Sequence, residues 1–232
     1  PRNNTRRGKV DSYGEFRIFH DRHDAGRRLA QKLLHYKEAK DTIVIALPRG
    51  GVVVGYDVSC TLRLPLDVLI TRKLGTPSNP ELAMGALAET GYVHMNSDVI
   101  REYDVSKAQL DEEMLCQQSE VDRRIQRYRG GRALPSLKGQ TVILVDDGIA
   151  TGATFYATLG ALIKSETVRL VAAVPVAPPR IVMELKTLVD EVVVLHTSER
   201  FFGIGQFYEQ FPQVEDEEVI TCLENVRGAL LQ

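Results

Sequence analysis

Five short runs of apolar residues recur along the chain, at 42–47, 66–71, 141–145, 168–174 and 189–195. Runs of this length without polar alternation suit strands covered on both faces. Helical spacing fills several intervals between them, at 52–62, 152–165 and 178–187. Parallel strands need a long crossover between them, and a helix supplies it. The alternation therefore predicts an α/β fold, a mostly parallel twisted sheet with helices on both faces. With 232 residues, 44% of them hydrophobic, the chain can close one sizeable core and a small appendage.

Charge and composition remove several alternatives. A formal net charge of -2 gives no global electrostatic case for nucleic acid. No apolar run approaches the roughly 18 residues needed to cross a bilayer. No basic-then-apolar leader is legible, so a cytoplasmic setting is expected. Cys60, Cys116 and Cys222 match neither a zinc spacing nor a disulfide framework. They read as reduced thiols acting as small buried hydrophobes.

Residues 1–14, with Arg2, Arg6, Arg7 and Lys9, read as a flexible basic arm, most simply a solvated tail. A core is expected over 15–196. Asp24 is placed to cap a helix carrying Leu29, Ala30, Leu33 and Leu34. The breaker-rich stretch 72–81 predicts a mobile loop, and 83–89 with 92–95 a hairpin around Thr90-Gly91. Ser106 and Gln109 form a capping box that opens a long helix over 106–129. Leu110, Met114, Val121, Ile125 and Tyr128 make its buried stripe, and Gly130-Gly131 ends it. Arg123, Arg124, Arg127, Arg129 and Arg132 are interleaved with acids, which favours a solvated helix face over a nucleic-acid patch. The remaining 197–232 breaks the alternation and carries Phe201, Phe202, Phe207, Tyr208 and Phe211.

The chemistry concentrates after the third run. It delivers Asp146 and Asp147 at a strand's carboxyl end, where ligands bind in open α/β sheets. Two adjacent carboxylates in apolar surroundings repel each other and call for a cation or hydroxyl donors. Gly148 leads into Ala150-Thr151-Gly152-Ala153-Thr154, a small-residue turn entering a helix. Its backbone N–H groups, two hydroxyls and helix N-terminus suit a phosphate. A diol-binding acid pair one turn from a phosphate cradle describes a site for ribose 5-phosphate.

Residues 142–154 resemble the signature with which type I phosphoribosyltransferases bind 5-phosphoribosyl-1-pyrophosphate (PRPP). Leu47-Pro48-Arg49-Gly50-Gly51 resembles their pyrophosphate loop, in which a cis peptide is frequent; here that would be Pro48–Arg49. Phe19-His20-Asp21-Arg22 through Gly26, the 72–81 loop and Gly205-Gln206-Phe207-Tyr208 resemble a bacterial and archaeal branch of predicted phosphoribosyltransferases. The resemblance implies the type I phosphoribosyltransferase fold with a small hood built from the C-terminal and N-terminal segments. It further implies that Asp146, Asp147, Gly148, Ala150, Thr151, Gly152, Ala153 and Thr154 hold the ribose and its 5′-phosphate. Pro48, Arg49, Gly50 and Gly51 would take the pyrophosphate, with Arg72 and Lys73 closing over it.

The implied reaction is displacement of pyrophosphate from the ribose by a nitrogen acceptor, expected to be a nucleobase. Magnesium is the expected cofactor, held chiefly by substrate oxygens with Asp146 and Asp147 assisting directly or through water. Phe201, Phe202, Phe207 or Tyr208 would stack on the acceptor, or else form a small satellite core. Hypoxanthine and guanine enzymes of the family carry an acid where this chain has Ala150, so no proton acceptor carries over. Glu81 and Glu199 are candidates for that role. A PRPP-sensing regulator that binds nucleic acid without catalysis, and an interaction subunit with a vestigial site, are the competing readings. A homodimer is expected from the frequency of twofold symmetry alone.

Overall fold

The computed structural model describes residues 18–230, so the basic arm expected over 1–14 lies outside the described residues. Its main sheet has five strands: β1 (Thr42–Ala46), β2 (Leu66–Val68), β6 (Thr141–Val145), β7 (Arg169–Ala177) and β8 (Glu191–Thr197). They run in the order β2-β1-β6-β7-β8, and every neighbouring pair is parallel. The expected α/β architecture is present.

Alternate residues of each central strand feed opposite cores, the period-two consequence of the pleat. Val44, Ala46, Ile143 and Val145 join one cluster with α1 (Arg22–Lys32), α2 (Gly50–Leu62) and α7 (Asp216–Leu230). Ile43, Ile45, Val142 and Leu144 join the other with α5 (Ala153–Lys164) and α6 (Pro179–Leu185). The middle strand β6 is thus sealed on both faces, and its carboxyl end is a fixed platform for the loop that carries the acid pair.

A second sheet departs from expectation. The stretch 72–81 is not a loop: β3 (Thr71–Thr76) and β4 (Asn79–Ala88) pair antiparallel, and β5 (Val93–Met95) adds a third strand. The breakers sit where a hairpin needs them. Pro77 and Ser78 make the tip, and a register shift falls at Gly75. The 66–71 run is likewise split, its last residue opening β3 in this second sheet.

The small sheet packs on α3 (Ser97–Glu102) and on the first half of α4 (Lys107–Arg129). Ser106 and Gln109 form the expected capping box, and Gly130 closes α4 in a left-handed conformation at φ 59°. Asp21, not Asp24, caps α1; its side chain accepts from the Asp24 N–H. Cys60 and Cys116 are exposed and only Cys222 is buried, which corrects the expectation for two of the three.

Arg129 also corrects the picture of a solvated arginine face. Its side chain is 1% exposed, bonded to Glu89 at the end of β4 and 3.8 Å from Asp67 of β2. It therefore ties the small sheet to the large one. Arg129→Ala leaves two buried carboxylates without their cation and is expected to cost about 3–5 kcal/mol. Urea titration checks this; a cost under about 1 kcal/mol would show the pair to be ornamental. Arg123 and Arg127 do stay at the surface, paired with Glu120, Asp216 and Glu217, while Arg124 is mostly covered and pairs with Glu120. The two arginines on Glu120 hold its carboxyl down at about 2, mainly through their hydrogen bonds.

Candidate active site

The strand ends of β1 and β6 bring two loops together. The β1 loop turns through a cis peptide at Pro48–Arg49, as the resemblance implied, and enters α2 at Gly50. The β6 loop carries Asp146 and Asp147 against it. A Cβ added to Gly50 would lie 1.9 Å from Asp147 Oδ2, and one added to Gly51 2.8 Å from Asp146 Oδ1. Only glycines let the β1 loop lie flat on the acid pair. Two segments a hundred residues apart in sequence thus form one surface.

The two acids differ in their surroundings. Asp146 is half-buried and lines a hollow of about 180 Å³ with the 148–154 turn and Ile204. Its oxygen Oδ1 accepts from the Asp147 N–H at 2.9 Å. Burial first, and the neighbouring Asp147 charge second, push its carboxyl well above the usual carboxylate range. Asp147 is 7% exposed and lies under a cation that the sequence reading missed: Arg22 Nε donates to its Oδ2 at 2.8 Å. Burial raises the Asp147 carboxyl as well, and Arg22 opposes that rise.

The turn behaves as its residues predict. Gly152, at φ 82°, is the N-cap of α5, so the turn ends in a helix N-terminus open to the hollow. Thr151 is exposed and Thr154 half-buried, and both lie among the residues lining the hollow. Ala150 is there too, with no acid in its place. Free N–H groups, two hydroxyls and a carboxylate around one small volume suit a phosphate joined to a diol.

Other expected residues are placed elsewhere. The Arg49 guanidinium points to the start of α7, 3.3 Å from Glu215 Oε2 and 3.8 Å from Asp216 Oδ1. Arg72 Nε donates to Gln117 of α4 at 2.9 Å, and burial lowers its pKa. Lys73 and Glu81 pair across the hairpin at 3.1 Å, with the Glu81 side chain 91% exposed. Glu199 is exposed in the segment after β8. None of these five residues is in the wall of the hollow.

The aromatic group divides. Phe207 and Tyr208 are 1% and 2% exposed and form a satellite core with Phe19, so they present no free face for stacking. Tyr208 also donates its hydroxyl to the Asp147 carbonyl at 2.6 Å. Phe201 is half-buried on this core, its ring 4.9 Å from Phe207, and Phe202 is 83% exposed. Backbone bonds join Ile18 and Phe19 to the Phe207 carbonyl, and Glu209 to the Phe19 carbonyl. The hood is therefore built from the first described residues and the segment after β8.

Among the described residues, no group of three or more His, Cys, Asp or Glu is placed to hold a metal ion. No helix among them is long and apolar enough to cross a membrane.

Comparison with known proteins agrees with this geometry. The chain is 44% identical over 208 residues to proteins from two strains of Mycobacterium tuberculosis, H37Rv and CDC 1551. Both are named "Putative phosphoribosyl transferase"; the match covers 90% of this chain and 47% of each relative. The chain thus spans about half the length of these curated relatives. The crystal structure of TT1426 from Thermus thermophilus is 39% identical, with a TM-score of 0.75 over 90% of this chain and 98% of that one. The model of the phosphoribosyl transferase domain matches residues 12–208, which takes in both loops, the acid pair and most of the hood. The chain belongs to the phosphoribosyl transferase domain family.

Proposed function

We propose that the chain is a magnesium-dependent phosphoribosyltransferase that moves the 5-phosphoribosyl group from PRPP to a nitrogen acceptor of nucleobase type, releasing pyrophosphate. The observation that carries this reading is the contact between the 48–51 loop and the acid pair. PRPP has its pyrophosphate on the carbon beside the ribose diol. A pyrophosphate loop and a diol-binding pair must therefore touch, as these do.

In the reaction the acceptor nitrogen bonds to C1 of the ribose, and the C1–O bond to pyrophosphate breaks, its electrons leaving with pyrophosphate. The chain contributes by holding donor and acceptor in line and by meeting phosphate charge with fixed dipoles. On this reading the N-terminus of α5 would take the 5′-phosphate and that of α2 the pyrophosphate, with Asp146 on the diol between them. Lys73, paired with Glu81 on the hairpin, would meet pyrophosphate charge if the hairpin closes over the donor. Phe202, and in part Phe201, have the exposed ring surface an acceptor base would stack on.

Magnesium fits this donor set only as a shared ion. Two carboxylates, one already engaged by Arg22, are too few for an all-protein cage, but magnesium retains water and substrate oxygens. Bound with PRPP, it would neutralise charge on the departing pyrophosphate, with Asp146 and Asp147 as its protein-side partners.

The regulatory reading loses one of its two basic features, because Arg123, Arg124 and Arg127 are spent on acids of this chain, while the basic arm lies outside the described residues. The test is pyrophosphate release from PRPP and magnesium across a panel of purines, pyrimidines and simple amines. Release with at least one acceptor is expected. PRPP binding without release from any of them would favour the sensor.

A further inference from the structure

Arg22 is 8% exposed and makes three contacts with its one guanidinium. Its Nε donates to Asp147 Oδ2 at 2.8 Å. Its Nη1 donates to the Pro212 carbonyl at 2.7 Å. Its Cζ lies over the Phe211 ring, 3.7 Å from the centroid. The first contact belongs to the donor site and the other two to the hood. A Cβ on Gly50 would also meet Arg22 Nε at 3.0 Å, so the β1 loop abuts the same group.

We propose that Arg22 is a positioning residue that couples the seating of PRPP on the acid pair to the position of the hood. The inference rests on the PRPP reading above. A ribose hydroxyl or a cation drawn to Asp147 must share a carboxylate that Arg22 already holds. When that carboxylate turns, the guanidinium follows it. A guanidinium is a rigid planar fork, so its Nη1 donor to Pro212 and its stacked face cannot stay where they were. Pro212 and Phe211 then shift, and Phe211 is packed on Tyr208 with ring centroids 4.9 Å apart. The Tyr208 hydroxyl is tethered to the Asp147 main chain and not to its carboxylate, which leaves that point fixed as a pivot. Filling the donor side thereby reshapes the wall that receives the acceptor.

The experiment is hydrogen exchange over residues 203–212, with and without saturating PRPP and magnesium, alongside calorimetric PRPP affinity. It compares the wild-type chain with Arg22→Lys and Arg22→Gln. The wild-type hood is expected to change its exchange when PRPP binds. Arg22→Gln should bind PRPP roughly tenfold more weakly and show no hood response at saturation. Arg22→Lys retains a charge for Asp147 but cannot bridge to Pro212 and stack on Phe211 at once. It should recover most of the affinity without the hood response, a split that a merely structural brace would not give. If Arg22→Gln folds poorly, judged by exchange in β6, Arg22→Lys alone carries the test. A hood response retained in either variant, or absent from a wild-type chain that binds PRPP, overturns the coupling alone. Failure of the wild-type chain to bind PRPP overturns the donor reading and the coupling with it.

Discussion

Asp147→Ala is expected to lose about 3–5 kcal/mol of folding stability, the usual cost of leaving a buried charge without its partner. The adjacent Asp146→Asn should be at least as stable as the wild type. Both should lose PRPP, Asp146→Asn by about 10- to 100-fold, the worth of a hydrogen bond to a charged group. The contrast comes from the partners. Asp147 answers the Arg22 guanidinium, and its removal strands a cation that is itself 8% exposed. Asp146 answers no cation directly, and its charge is opposed by burial and by Asp147. A neutral isostere there relieves the folded protein of a cost. Urea melts with calorimetric PRPP titration check both, and equal stability losses would refute the division.

The same contrast has a pH signature, read in chelator so that divalent ions do not intervene. The Asp146 carboxyl is raised, so between its ordinary and its folded pKa the native state holds more protons than the unfolded chain. Stability must then fall as pH rises through that window. Asp146→Asn should flatten this fall relative to the wild type. Parallel profiles would show that Asp146 does not titrate in this way.

The second large effect is expected at Gly51. Its added Cβ would meet Asp146 Oδ1 at 2.8 Å, Asp146 Cα at 2.9 Å and the Val145 carbonyl oxygen at 3.0 Å. Two of these atoms are backbone at the end of β6, a strand paired on both sides. Neither can turn away, so Gly51→Ala must push apart the two loops that make the donor site. An overpacking cost of about 1–3 kcal/mol is expected, together with loss of measurable PRPP binding. Gly50→Ala differs in kind, because its closest neighbour is the Asp147 carboxylate, which can rotate at the expense of its bond to Arg22. It should therefore cost at least as much stability as Gly51→Ala, because the displaced carboxylate leaves the buried Arg22 without its partner, and it should lose PRPP as well. Wild-type stability in Gly50→Ala would mean that the β1 loop yields and the ion pair survives.

What the sequence revealed was what is local. Runs such as 141–145 announce buried strands because both their faces are apolar. Ser106 with Gln109 announces a cap because the two bonds close within one turn. The 146–154 stretch carries acids, turn and cradle in nine consecutive residues. The hairpin was misread for a local reason too: Gly75, Pro77, Ser78 and Pro80 are as frequent in a tight tip with a bulge as in a loop. Helix α7 had a legible signal in Val219, Cys222, Leu223 and Val226, all buried at helical spacing. Its aromatic neighbours drew the reading toward a hood instead. The resemblance of the 19–26 stretch marked Arg22, but nothing local gave its partner, since it meets Asp147 across 125 residues. Pairings of that range follow from topology, not from neighbouring residues.

The hood's aromatic cluster is laid down apart from the clusters on the two faces of the sheet. Within it, Phe207 and Tyr208 are anchors, whereas Phe202 adds little packing. The two halves of the site are therefore under unequal mutational constraint. Donor residues are pinned by backbone contacts on a central strand, and their alternatives are few. Positions 199, 201 and 202 can vary without disturbing either face of the sheet, so, if the proposed reading holds, descendants of such a chain could acquire new acceptors while inheriting the donor side intact.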